Sequence, residues 1–441
     1  MRIGLIALMA TLGWASGEAA TVFQVPAEIE SDVRFWARVY SDTSNTEGLI
    51  HDSVDLTLVY GKVSVPVREA AKDRQREIDA RLSDYRARLS RLGAPGAKAE
   101  DPEDERIQAL LAARGLSAAT AAGRLRFQAG QADQFRAGVQ RSGHWRPVIE
   151  RIIVDAGLPP ELAALPHVES SFNPYAYSKA GAAGLWQFTR STGQKYLRVD
   201  QWVDERLDPI RATHAAVRYL QEAYTRLGSW PLAIISYNHG VNGMGRAKTL
   251  LGTDVVRVMR EYNSPSFGFA SRNFYPSFLA AIQVEQEAQR LFVGLQRNEV
   301  WRTCVAPVAK PVATSTVASA FSVPLDELRL LNPALMNPVW SVSGKIPAGY
   351  VLRIPQASSV NRGRSPAYLD QPWRLEGEIG ESLQHVVQPG DTLNRISRTV
   401  GVPVRDIAAR NGITNVDTLT AGQTLTIQGG NACGAGMLAQ G

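Results

Sequence analysis

A mainly α-helical chain ending in small α+β units is what this sequence predicts, on three observations. Apolar residues recur at helical spacing through the first two thirds of the chain. A Pro-Pro and an Asp-Pro pair stand where helices would begin. After Val305 the pattern changes to short β-like runs, turns and short helices that repeat internally. With 441 residues, 44% of them hydrophobic, the chain is long enough for two or three domains and at least one large core.

Met1 and Arg2, the apolar run from Ile3 to Trp14 and the small residues Ala15, Ser16, Gly17, Ala19 and Ala20 read as a signal peptide over 1–20. No other stretch approaches the roughly 20 apolar residues of a membrane helix. No cysteine stands near the cleavage zone to carry a lipid, so export to the periplasm or outside, without a stable membrane anchor, is expected.

Residues 21–143 read as a helical N-terminal extension. Trp36, Val39 and Tyr40 are helically spaced, and Ile78, Leu82, Tyr85, Leu89 and Leu92 form one stripe, too short for a coiled coil and suited to packing on neighbours. Gly93 to Pro102 breaks it. Residues 144–295 read as a compact helical domain. Pro159 and Pro160 open a helix through Glu161, Leu162, Leu165 and Val168, with Pro166 as a kink or an end. Asp208-Pro209 is an N-cap and first helical residue, followed by Ile210, His214, Val217, Leu220, Gln221 and Tyr224 on one face. Further helices are predicted over 231–237, 254–262 and 275–292.

In the tail, VASAFSVPLDELRLLN (317–332) aligns without gaps on ISRTVGVPVRDIAARN (396–411), and Ala348, Gly349, Leu352 and Ile354 correspond to Ala421, Gly422, Leu425 and Ile427. One supersecondary unit is thus used twice, over 312–355 and 383–428, around a polar linker at 356–382. The net charge of +6 suits an acidic polymer, but basic and acidic residues are interspersed, without the basic tail of a nucleic-acid binder. Cys304 and Cys433 leave two readings open, one disulfide or two separate thiols. With no histidine beside them they make a poor metal site, and neither metal nor cofactor is expected.

The chemistry concentrates in HVESSFNPYAYSKAGAAGLWQFT, His167 to Thr189. Glu169 ends an apolar helix, Gly181-Ala182-Ala183-Gly184 removes side-chain bulk, and Trp186, Gln187 and Phe188 bring aromatic and amide groups. Glycosidic cleavage needs a protonated carboxyl at the leaving oxygen, and such a wall would keep one protonated by desolvation. Glu169-Ser170, Phe172-Asn173-Pro174, Ser178, Gly181 to Phe188, Ser236-Tyr237-Asn238-His239-Gly240 and Arg272-Asn273-Phe274-Tyr275-Pro276 occur in order. In these motifs the chain resembles the lysozyme-like domain of the soluble-lytic-transglycosylase family, in the branch that carries a LysM tail.

The resemblance implies a lysozyme-like fold and a peptidoglycan lytic transglycosylase. Such an enzyme cleaves the β-1,4 bond between N-acetylmuramic acid and N-acetylglucosamine and leaves a 1,6-anhydro-muramoyl end. It makes Glu169 the single acid/base and Ser178, Gln187, Tyr237 and Asn238 substrate-facing polar groups. Trp186 stands where many relatives carry Met, and a sugar-facing wall and a core filler both remain open for it. His385 to Ile427, beginning HVVQPGDTLNRIS, resembles a LysM module, a βααβ unit that binds N-acetylglucosamine-containing chains. Its glycan contacts would come from Gly390, Asp391 and Thr392 and from the loop Ile413 to Val416. The earlier copy lacks the Pro-Gly-Asp-Thr opening, which leaves a structural and a binding role equally open. The implied partner is the peptidoglycan glycan strand, and the implied location the cell wall. Two rival readings are a hydrolytic muramidase and a non-catalytic wall-binding scaffold.

Overall fold

A computed structural model describes residues 22–66, 71–301, 303–308, 310–355, 382–400 and 404–428. The signal-peptide reading, nearly all of the linker and Cys433, with the bridge it would make to Cys304, lie outside the described residues. Among those residues no helix is long and apolar enough to cross a membrane.

The chain opens with α1 (Glu30–Ser41), then β1 (Glu47–Asp52) and β2 (Val59–Ser64), the helices α2 (Ala71–Leu92), α3 (Pro102–Ala113) and α4 (Ala118–Arg124), and β3 (Leu125–Ala129). The strands form one antiparallel sheet in the order β2-β1-β3, with Leu49 opposite Lys62 on one side and Gln128 on the other. This sheet adds three strands to the helical extension read over 21–143. β1 is its central strand and sits between two cores. Leu49 packs with α1, while the next residue, Ile50, packs with Tyr60, Tyr85, Leu89 and Ile107. Both faces are therefore apolar, and so short a run carries no alternation to distinguish it from helix. The stripe on α2 packs as read, through Tyr85, Leu89 and Leu92.

After β3 come α5 (Ala132–Ser142), α6 (Arg146–Asp155), a 3-10 turn (Pro160–Ala164), α7 (Leu165–Ser170), α8 (Arg190–Gly193), α9 (Pro209–Leu227), α10 (Trp230–His239), α11 (Val241–Leu251), α12 (Val255–Glu261), α13 (Phe269–Gln286) and α14 (Ala288–Leu291). They share a core with α1 and α5: Phe23, Trp36, Tyr40 and Phe135 cluster with Leu165, Phe172, Trp186, Ile235 and Phe278. Trp36 Nε1 donates to Asn273 Oδ1 on α13 at 3.2 Å, and Arg260 pairs with Asp32 at 2.5 Å. No break between cores falls at residue 143, because α1 and α5 belong with the helices that carry the site.

Pro166 sits in the first turn of α7, where its missing N–H leaves no helical bond unmade. Asp208 caps α9 as read, its Oδ1 accepting the N–H groups of Ile210 and Arg211, both at 2.9 Å. The buried face of α9 differs from the sequence stripe: Ala212, Ala216, Val217, Leu220 and Ala223 are buried, whereas Gln221 and Tyr224 are exposed. Small residues let α10 and α11 approach closely, so alanine, not bulk, marks the inner side. The sequence pattern does not mark α11, because Gly243 and Gly245 interrupt it.

The tail forms two units of one topology. The first holds β4 (Thr303–Pro307), β5 (Val312–Ala313), α15 (Thr314–Ala320), α16 (Leu325–Leu331), β6 (Lys345–Ile346) and β7 (Val351–Pro355). The second holds β8 (Ser382–Val386), α17 (Leu393–Val400), α18 (Val404–Arg410) and β9 (Thr424–Gln428). In each, the outer strands pair antiparallel around two helices, and the first unit begins at Thr303, ahead of the residue 312 read from the alignment. The matched asparagines do the same work. Asn332 Nδ2 donates to the carbonyls of Leu328 and Arg353, both at 2.7 Å, while its Oδ1 accepts Arg353 N–H at 2.8 Å. Asn411 bonds Ile407 O, Thr426 O and Thr426 N–H at 2.8, 2.7 and 2.7 Å. Each ends a helix and pins the last strand.

Candidate active site

Glu169 lies one residue before the end of α7, and the chain turns sharply behind it. Ser171 and Phe172 both have positive φ, 51° and 55°, and Gln187 has 46°; three of the four such non-glycine residues described fall in this segment. Backbone of this kind persists only where its surroundings hold it. Phe172 is fully buried against His167, and its N–H donates to Pro166 O at 3.0 Å. From α5, Arg141 Nη2 donates to Ser171 O at 2.7 Å. Gly138, also on α5, leaves room for that carbonyl, since a Cβ there would lie 2.9 Å from it.

The following loop is held from the other side. Ser170 Oγ donates to Leu185 O at 2.9 Å, tying α7 to the loop. Gly184 has φ +79°, and a Cβ there would lie 1.8 Å from Arg206 O, so no other residue fits. The buried Arg206 donates Nη1 to the carbonyls of Gly181 and Phe188 at 2.9 and 3.0 Å, while Asp204 holds its other nitrogens at 2.9 and 2.7 Å.

Among the described residues nothing forms a hydrogen bond or ion pair with the Glu169 carboxyl, although the side chain is half-buried. Desolvation alone pushes its pKa up to about 8. Three tyrosines stand close enough to feel its charge: Tyr40 from α1, Tyr219 from α9 and Tyr237 from α10. Burial raises the pKa of each, and Glu169 adds to the rise. Tyr237 donates to Trp186 O and Tyr219 to Ser236 O, both at 2.8 Å, so neither hydroxyl is spent on the carboxyl.

The residues singled out from sequence fare differently. Tyr237 stands beside Glu169. Gln187 is half-buried and donates Nε2 to Ala176 O and Gly184 O at 3.2 and 2.9 Å, bracing the loop that holds it. Ser178 is exposed and its Oγ accepts Ala182 N–H at 3.0 Å, a turn contact. Asn238 is exposed, with Oδ1 accepting Ser271 Oγ at 2.8 Å. Of the two readings open for Trp186 the structure supports the core filler: it is completely buried and its Nε1 donates to Thr213 Oγ1 at 2.9 Å. Sequence reasoning missed Tyr40, Tyr219, Arg141 and Arg206, which come from four separate elements with no motif around them.

In the second tail unit Gly390 and Thr392 are exposed, and Thr392 Oγ1 caps α17 by accepting Arg395 N–H at 3.1 Å. The Asp391 carboxylate is largely buried. It accepts Gln388 N–H and lies against His385 Nε2, both at 2.9 Å, which holds its pKa low against the opposing cost of burial. It builds the turn and does not face outward.

Residues 149–253 match the Transglycosylase SLT domain family and residues 385–428 the LysM domain family, so the chain carries one domain of each kind. Over 292 residues it is 28% identical to Membrane-bound lytic murein transglycosylase D of Escherichia coli (strain K12), with 62% of this chain and 61% of that protein covered. A protein of Alteromonas sp. (strain M-1) named for tributyltin chloride resistance is 35% identical over 112 residues, 24% of this chain and 54% of its own length. The chain thus spans less than two thirds of each of these relatives. The crystal structure of the 70 kDa soluble lytic transglycosylase from Escherichia coli superposes with a TM-score of 0.29 at 18% identity, over 52% of this chain and 38% of that one.

Proposed function

We propose that this protein is a peptidoglycan lytic transglycosylase that acts at the cell wall after export, with Glu169 as its general acid and base. The observation that carries the reading is a carboxyl in a tyrosine-lined site, without an ionic partner, whose pKa of about 8 keeps it protonated at neutral pH. Glu169 donates its proton to the glycosidic oxygen as that bond breaks. The resulting carboxylate then takes the proton of the muramoyl C6 hydroxyl while its oxygen attacks C1, closing the 1,6-anhydro ring and restoring the acid. Gln187, Tyr237 and Asn238 supply polar groups along the sugar path.

A retaining hydrolase would place a second carboxylate about 5–5.5 Å away. Such a neighbour would add like-charge repulsion to the rise of Glu169, and among the described residues desolvation is the cause of that rise. This favours the single-carboxylate route. The second tail unit is assigned to holding the enzyme on glycan through Gly390, Thr392 and the exposed loop from Thr414 to Val416, raising local substrate concentration. Mass spectrometry of muropeptides released from sacculi tests the reading: anhydro-muramoyl ends are expected, whereas reducing ends would indicate a muramidase and no release a scaffold.

A further inference from the structure

The two tail units keep the same frame but present different surfaces. In the second unit the loop after Asn411 is open, with Gly412, Thr414, Asn415 and Val416 exposed. The matching loop of the first unit, Pro333 to Leu335, is buried. It is covered by the catalytic region. Asp204 N–H donates to Ala334 O at 2.8 Å, Met336 N–H donates to Trp202 O at 2.9 Å, and Val203 forms a β-bridge with Leu335. Val203 belongs to the hydrophobic core of the first unit, with Leu328, Leu335 and Leu352. Leu335 and Met336 replace Thr414 and Asn415, so the sequence change matches the change of surface.

A buried ion pair closes the contact. Arg353 on β7 bonds both oxygens of Asp208, through Nη1 to Oδ2 and through Nη2 to Oδ1 at 3.0 Å. Both side chains are nearly shielded from solvent, at 12% and 4% exposure, so removing either leaves the other a buried charge without its bidentate partner, although Asp208 would keep the N–H groups of Ile210 and Arg211. Asp208 is the cap of α9, and α9 carries Thr213, which holds Trp186, whose carbonyl accepts Tyr237. Asp204, whose backbone the unit holds, is the partner of Arg206, which fixes the carbonyls of Gly181 and Phe188 on either side of Gln187. Two routes thus run from the first unit to the walls of the Glu169 site.

We infer that the first repeat is a positioning clamp for the active-site loop, not a second wall-binding module. Arg353 and the Ala334–Met336 loop are its two jaws, acting through Asp208 and through Asp204–Arg206. The inference rests on the function proposed above for its kinetic consequence, but not for its structural one. Its occupied loop also removes from the first unit the surface that the second leaves free.

The test uses the full chain with Arg353→Met, Arg353→Lys and the double variant Asp208→Asn/Arg353→Met. The double variant leaves no unpaired buried charge and keeps a cap on α9, so it stays readable if Arg353→Met alone does not fold. Amide exchange over 181–188 should rise at least about tenfold in Arg353→Met and remain raised in the double variant, with α1, α13 and the second unit unchanged. On a soluble glycan oligomer kcat should fall about tenfold with KM and pelleting on sacculi within about twofold, and Arg353→Lys should recover part of kcat. Unchanged exchange over 181–188, or an equal rise across α1 to α14, would overturn the inference. If the wild type releases no anhydro product, the proposed function fails while the exchange result still decides the clamp.

Discussion

Glu169 and Glu285 are the same residue type, one half-buried and one buried, and they end up in opposite states. Glu169 has no ionic partner among the described residues and is pushed up to about 8 by desolvation. Glu285, at the end of α13, suffers the same desolvation. It is held instead at about 2, because His167, Arg146 and Arg297 surround its carboxylate. Burial lowers the pKa of His167 in turn while Glu285 raises it, and His167, then Arg146, are the main groups that draw Glu285 down. His167 and Glu169 are two residues apart on α7, a spacing at which side chains point to different sides of a helix. One short helix thus separates a neutral acid from an ionised anchor. A cavity of about 690 Å³ lies on the anchor side, lined by Arg146, Glu285 and Arg297 and not by Glu169. Burial alone does not decide which carboxylate becomes an acid; the absence of a cation beside it does.

The largest expected effect breaks the acid. Glu169→Gln should lower cleavage by roughly 10²–10⁴-fold, the range for a lost general acid–base group, measured as anhydro product released per unit time. The same change should stabilise the fold near pH 7. The wild type must there hold as neutral a group that ionises freely when unfolded, a burden of up to about 3 kcal/mol over the ~2.5 pH units above the ordinary glutamate pKa. That burden is complete above pH 8 and vanishes as pH falls toward 4.5, so the gap between variant and wild type in urea melts should close on acidification.

Glu285→Gln should do the reverse. It leaves Arg297 without its carboxylate and Arg146 with Glu150 alone, at 3.5 Å, and should destabilise by about 3 kcal/mol, the low end for a broken buried pair. A carboxylate with a depressed pKa stabilises above its unfolded value and loses that contribution as pH falls, so this gap should close between pH 4.5 and about 2. Material that remains folded should keep the pH limb of wild-type cleavage, because the acid itself is untouched. A shifted limb would mean that the two carboxylates communicate through α7.

The smallest effect concerns the core beneath the Gly-rich loop. Trp186→Phe removes the hydrogen bond to Thr213 and leaves a cavity in the core, and should cost about 2 kcal/mol in thermal or urea unfolding while leaving KM unchanged. A several-fold rise in KM without loss of stability would return Trp186 to the sugar path.

What the sequence made legible follows from this contrast. Glu169, the Gly-rich loop, Tyr237 and the Asp208 cap sit in contiguous motifs whose chemistry is local. The duplicated tail was readable because Asn332 and Asn411 repeat in register with their apolar neighbours. Trp186 was ambiguous because an indole serves a core as well as a groove, and only its bond to Thr213, 27 residues away, decides between them. Tyr40 arrives from α1, more than a hundred residues before Glu169, and Arg206 acts on backbone carbonyls that carry no sequence identity. The sheet stayed hidden because β1 serves two cores at once.

Titration of the Glu169 carboxyl, by carbon NMR of labelled protein with the Glu169→Gln variant as the subtraction control, tests the central claim most directly. A midpoint near 8 is the predicted result, and the decline of kcat/KM on the alkaline side should follow it. A midpoint near 4.5 would mean that the carboxyl is ionised at neutral pH, and the proposed acid chemistry would be contradicted.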